Sequence, residues 1–128
     1  MADFPFCDRI ARGEIIVANN FAVAIYKGYP VSSGHTIIVP RRHIADFLAM
    51  TKEEQAAIWA LVDLARKNIE KDHSPDGYNI GVNIGAAGVQ TIAHAPMHVI
   101  PRYSGDVEDP RGGIRWIIPS KAAYWQKS

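Results

Sequence analysis

The sequence predicts an α+β domain: a mostly antiparallel five-stranded sheet with one long and one short helix. Three observations carry this. Short apolar runs rich in β-branched and aromatic residues fall into two groups along the chain. One long amphipathic segment, opening at Thr51, separates the groups. Two of the joins between runs look like hairpins, and strands, then helix, then strands is the order of an α+β domain.

Residues 7–12 are predicted to form a short helical turn, stopped at Gly13. "EIIVAN" (14–19) and "FAVAIYK" (21–27) are strand candidates, with Asn19-Asn20 as the turn between them. "GYPVSSG" (28–34) is turn material, and "HTIIVP" (35–40) is a third strand ended by Pro40. Thr51 and Glu54 match a capping box. Ile58, Leu61, Val62, Ala65 and Ile69 then follow the helical period and form one apolar stripe, until "SPDG" (74–77) stops it. "YNIGVNI" (78–84) alternates as a strand, "GAAG" (85–88) is a small-residue turn, and "QTIAHAPMHVIP" (90–101) is the fifth strand. From Tyr103 to Gly113 the chain reads as loop. "IRWIIP" (114–119) is predicted to be a tail strand or a docking arm. The expected organisation is one domain over 1–128, with 103–128 as a tail that packs on the domain or on a dimer partner.

The chain has 128 residues, 48 % apolar and 21 % charged, with a formal net charge of +1. This is ordinary for a globular protein and implies no long-range field for nucleic acid or membrane. The one cysteine, Cys7, makes neither an intrachain disulfide nor a Cys-based zinc site. No apolar run approaches the roughly 18 residues of a membrane span. "MADFPFCDRI" has acids and a proline where a secretory leader has basic residues and an apolar run. The expected compartment is the cytoplasm.

The chemistry concentrates in "HAPMH" (94–98). On a strand His94, Pro96 and His98 share one face, with Ala95, Met97 and Val99 on the other. Four strand residues span about 13 Å, too far for His94 and His98 to share a metal ion with bonds of about 2 Å. No metal or other cofactor is expected. Two readings remain: a solvated polar face, or a phosphate site in which a central histidine would reach phosphorus and its neighbours would steady the oxygens. Asn83, Gln90 and Thr91 supply small polar groups upstream that suit either a polar hairpin or such a site.

"QTIAHAPMHVIPR" resembles the signature of the histidine triad (HIT) proteins, His-φ-His-φ-His-φ-φ with φ apolar, commonly preceded by Gly-Gln-Thr or Gly-Gln-Ser. "PVSSGHTIIVPRRH" (30–43) resembles the family's Pro-Val-x-x-Gly-His segment. "GYNIGVNIG" and "GDVEDPRGGIRWIIPSKAAYW" resemble bacterial members. The resemblance implies a two-helix, five-stranded antiparallel unit, usually a homodimer through a shared sheet. It implies a purine nucleotide ligand and no nucleic-acid or membrane partner. Its enzymes hydrolyse or transfer nucleotidyl groups from dinucleoside polyphosphates or nucleoside phosphoramidates, the middle histidine attacking the α-phosphorus. Carried over, His94 and His98 are the outer histidines, and Asn83, Gln90 and Thr91 surround the phosphate. Phe6, Ile10, Ile25 and Ile37 would line the base pocket or belong to the core, and His35 lies near the site.

Three positions depart from the pattern. Pro96 stands where the nucleophile belongs and has no nucleophilic side chain. Lys27 stands where Asp or Asn meets the ribose hydroxyls, and an ammonium only donates. Val89 stands where glycine precedes the glutamine, stiffening the backbone. In a central strand Pro96 would also remove a ladder hydrogen bond, which favours an edge or a bulge unless its nitrogen faces no partner or a local distortion accepts it. The expected function is nucleotide binding with impaired catalysis. The alternatives are a non-catalytic dimeric interaction module and a phosphohydrolase using another residue such as His98.

Overall fold

The computed structural model describes residues 15–44, 46–88 and 96–126. Five strands form one antiparallel-paired sheet: β1 (Val17–Ala18), β2 (Ala22–Tyr26), β3 (Thr36–Pro40), β4 (Gly77–Val82) and β5 (Met97–Arg102). Their spatial order is β1-β2-β3-β5-β4. The long helix α1 (Lys52–Asp72) connects β3 to β4. Both strands are antiparallel to β5, so they run parallel to each other with β5 inserted between them. A parallel connection needs a crossover, and α1 is that crossover, laid over one face of the sheet.

Pleating decides which residues meet α1. Ala22, Ala24, Ile38, Met97 and Val99 share a buried cluster with Ile58, Leu61, Ala65 and Ile69 of the helix. Val62 packs against its margin. On the opposite face Val23, Ile25, Ile37 and Val39 form a second, fully buried apolar cluster. The register pairs Ile37 with His98 and His98 with Gly81, so His98 lies on this second face.

Local chemistry fixes the ends of α1. Thr51 Oγ1 accepts from the Glu54 N–H (3.1 Å), and the Glu54 carboxylate accepts from the Thr51 N–H (2.9 Å). Arg42, just past β3, adds two hydrogen bonds to the same carboxylate at 2.9 and 2.8 Å. The start of the helix is thereby tied to the end of a strand. Asn19 ties the β1–β2 hairpin in a similar way. Its side-chain oxygen accepts from Phe21 and Ala22, and its amide donates to Ala57 of the helix.

One expectation is corrected. The segment 114–119 is not a strand. Gly113–Ile117 is a 3-10 turn, followed by the short helix α2 (Pro119–Ala122). Proline at the first helical position suits α2, because its absent N–H has no intrahelical role there. The tail fastens to itself: Trp116 Nε1 donates to the Arg111 carbonyl (2.8 Å), and Arg111 lies over the Trp125 ring. Of the outcomes open for Pro96, the structure shows a strand kept inside the sheet. It stands immediately before β5, whose laddered residues begin at Met97, and β5 is central. The predicted turn at 7–12 falls outside the described residues.

Leu61→Ala should cost about 2–5 kcal/mol of unfolding free energy in urea denaturation. Val62→Ala, at the margin of the cluster, should cost distinctly less. Arg42, then the Thr51 N–H, hold the Glu54 carboxyl down to about 2 from an ordinary 4.5. The unfolded chain therefore takes up this proton first as pH falls. The stabilisation is complete above pH 4.5 and fades as pH drops toward 2. Glu54→Gln should remove that part of the acid-side slope when denaturation is repeated across this range.

Candidate functional site

His35 immediately precedes β3 and is only 3 % exposed. Its Nδ1 lies 3.2 Å from the Val31 backbone nitrogen, and its Nε2 lies 3.0 Å from Nδ1 of His98. A backbone N–H can only donate, so Nδ1 of His35 is the acceptor. With that nitrogen unprotonated, Nε2 carries the hydrogen of His35 and donates it to His98 Nδ1. His98 must then hold its own proton on Nε2. The chain from Val31 through His35 to His98 thus fixes both tautomers. His98 has an N–H, and no free lone pair, left to offer a ligand.

Both rings are held neutral. Burial first, then the neighbouring His98 and the Lys27 ammonium, lower His35 from 6.5 to about 4. Burial first, then Lys27, lower His98.

Four of the predicted site residues line one cavity of about 380 Å³: Lys27, His35, Asn83 and His98. Lys27 follows β2, and its N–H donates to the His35 carbonyl (3.0 Å). Asn83 follows β4. Asn79 and Gly81, both on β4, join the lining between them. Ile114 and Ile117 of the tail form an apolar wall. None of the described lining residues is a carboxylate. The cavity presents an ammonium, an imidazole N–H and two amides, a set that suits an anion with an apolar portion.

A larger cavity of about 530 Å³ adjoins it, sharing Val31, Asn79 and Ile100. Its wall carries Asp106, Glu108 and Asp109. The Arg102 guanidinium there is engaged by Asp106 (2.7 and 2.8 Å) and by the Asn79 side chain (2.6 Å). Those carboxylates make this second space the poorer phosphate site despite its size.

Ile25 and Ile37 are fully buried in the apolar cluster on the histidine face and do not line the cavity, so of their two expected roles they take the core one. Pro96 is half-buried ahead of β5. Phe6, Ile10, Val89, Gln90, Thr91 and His94 lie outside the described residues. Among those described, no group of three or more His, Cys, Asp or Glu side chains is placed to hold a metal ion. Sequence reasoning missed Asn79 and the tail isoleucines. Asn79 had a signal, since 79, 81 and 83 share one face of an alternating strand. Ile114 and Ile117 had none, because nothing local indicates where a tail returns.

The HIT domain family matches residues 10–105. An uncharacterised HIT-like protein of Mycoplasma genitalium is 32 % identical over 102 residues, covering 77 % of this chain and 72 % of its own. An AP-4-A phosphorylase of Mycobacterium tuberculosis is 32 % identical over 96 residues, covering 74 % of this chain. This chain spans about half of that enzyme's length (49 %). The crystal structure of a hypothetical histidine triad nucleotide-binding protein from Sulfolobus tokodaii superposes with a TM-score of 0.72 at 31 % identity. It covers 82 % of this chain and 72 % of the other.

The tautomers can be read directly by ¹⁵N NMR of the ring nitrogens. His35 and His98 should both be neutral Nε2–H forms at pH 7, and His35 should protonate only near pH 4. His35→Phe should release His98 to a mixture of tautomers and move its titration.

Proposed function

The chain belongs to the histidine triad family, and from that premise we propose that it is a nucleotide-binding protein related to the family's nucleotidyl hydrolases and transferases. The observation that carries the reading is the cavity that joins Lys27, His35, Asn83 and His98 without a described carboxylate. A phosphate would take the His98 Nε2–H and the Asn83 amide, with Gln90, Thr91 and His94 completing the surround. The nucleobase would lie along the apolar wall of Ile114 and Ile117, with Phe6 and Ile10.

Catalysis is impaired in this reading. Pro96 occupies the nucleophile position and offers no lone pair for phosphorus. His98 cannot replace it from its own place. Its Nδ1 accepts from His35 and its Nε2 is protonated, so it is a donor to phosphate oxygens. It is also displaced from position 96 by about one strand step, whereas attack needs a separation near 3–3.5 Å. This argues against a phosphohydrolase that uses His98.

We further propose a cytoplasmic homodimer. Among the described residues β4 is an edge strand, paired only with β5, and its free edge is the place for a shared sheet. No described helix is long and apolar enough to cross a membrane. A second reading, a non-catalytic dimeric interaction module, is favoured by the tail, where Ile117 is 77 % exposed and Ile114, Trp116 and Ile118 are also exposed.

Calorimetric titration with AMP and GMP, with a parallel assay for hydrolysis of an adenosine phosphoramidate, tests the reading. Binding without turnover is expected, and Pro96→His should raise the rate above the parent. Absence of both binding and turnover would favour the interaction module. Turnover well above the buffer rate in the parent protein would overturn the assignment of Pro96.

A further inference from the structure

Lys27 is a half-buried residue that lines the same cavity as His98, but their backbones sit apart on the sheet. Lys27 extends β2 and pairs by its N–H with His35, at the start of β3, while His98 lies beyond β3 on β5. Two strand spacings separate their backbones, about 10 Å. The described lining between and around them contains Asn79, Gly81, Asn83 and apolar side chains, and no carboxylate to hold the ammonium. Tyr29 lies near it, with the ring centroid 6.0 Å from Nζ. The cavity therefore has two groups for negative charge, rooted on opposite sides of β3. One is the neutral N–H of His98 with the Asn83 amide, and the other is Lys27.

We infer that the site selects a nucleotide carrying a second phosphate on its ribose, at the 3′ or 2′ oxygen, with one phosphate at His98 and the other at Lys27. The inference rests on the nucleotide-binding reading and adds to it the ligand class and the residue that sets it. Consecutive phosphoryl groups of a diphosphate share a bridging oxygen, which holds them close together. Phosphates on the 5′ and 3′ oxygens have the sugar between them, in keeping with side chains rooted two strands apart. A ribose diol is a poorer partner for Lys27. It supplies no charge, and a hydrogen bond between ions is roughly twice as strong as a neutral one.

Titration calorimetry with AMP, ADP, adenosine 3′,5′-bisphosphate and adenosine 2′,5′-bisphosphate tests this on the whole protein. One of the ribose bisphosphates should bind at least about tenfold more tightly than AMP, as one charge-assisted contact of about 1.5–3 kcal/mol implies. ADP should stay close to AMP. Lys27→Gln should abolish the advantage, so that the bisphosphate loses at least about tenfold more affinity than AMP does, and added salt should shrink the advantage in the parent protein. Equal binding of AMP and both bisphosphates would overturn the inference and leave nucleotide binding intact. So would an advantage that survives in Lys27→Gln, or one matched by ADP. Failure of AMP and every other nucleotide to bind would instead remove the nucleotide reading, and this inference with it.

Discussion

The site depends on the pleat of β5. Met97 and Val99 are fully buried beneath α1, so His98 between them must face the other way. Both neighbouring strands enforce this. Ile38 opposes Met97 on one side, and Val82 and Ile80 oppose Met97 and Val99 on the other. A slip of one residue would put an imidazole in the apolar cluster and two core side chains in the cavity. The hydrophobic core and the placement of the histidine are one constraint. It is imposed by apolar residues, two of which, Ile80 and Val82, also line the cavity.

Once His98 faces outward, a second restriction acts on its proton. The Val31 N–H is a backbone group that can only donate, and it propagates a single donor direction through His35 to His98. Burial disfavours the cationic form of either ring, which would disrupt that order. The ring at position 98 therefore has fixed polarity as well as fixed position. Charge in the described cavity comes from Lys27, on a different strand, and the imidazoles add dipoles.

The sequence made the helix legible to the residue. Thr51 and Glu54 announced its start, and the period of Ile58, Leu61, Ala65 and Ile69 announced its buried face, because capping and amphipathicity are local. All five strand segments were legible, although the paired parts are shorter than the apolar runs, with β1 reduced to Val17–Ala18. The central position of β5 was not legible from Pro96, because that proline precedes the ladder. Pro101, which does lie inside β5, falls where β5 pairs with β4 alone, beyond the end of the β3 register at Val99. The Ser32 hydroxyl donates to the Pro101 carbonyl across that gap (2.7 Å). The tail was misread because "IRWIIP" has strand-like composition. Its conformation is set by contacts that no local pattern encodes, such as the stacking of Arg111 on Trp125.

The insertion of β5 between two strands that precede it has a consequence for synthesis. A ribosome delivers β3, α1 and β4 before residues 97–102 exist as folded chain. Until they arrive, the strands on either side of the gap each have an open edge facing an empty lane about two strand spacings wide. Such edges are templates for pairing with another chain. The segment that completes the cavity is therefore also the one that closes the nascent sheet against wrong partners. Loss of its alternating pattern would be felt first as poor yield of folded protein, before any ligand was offered.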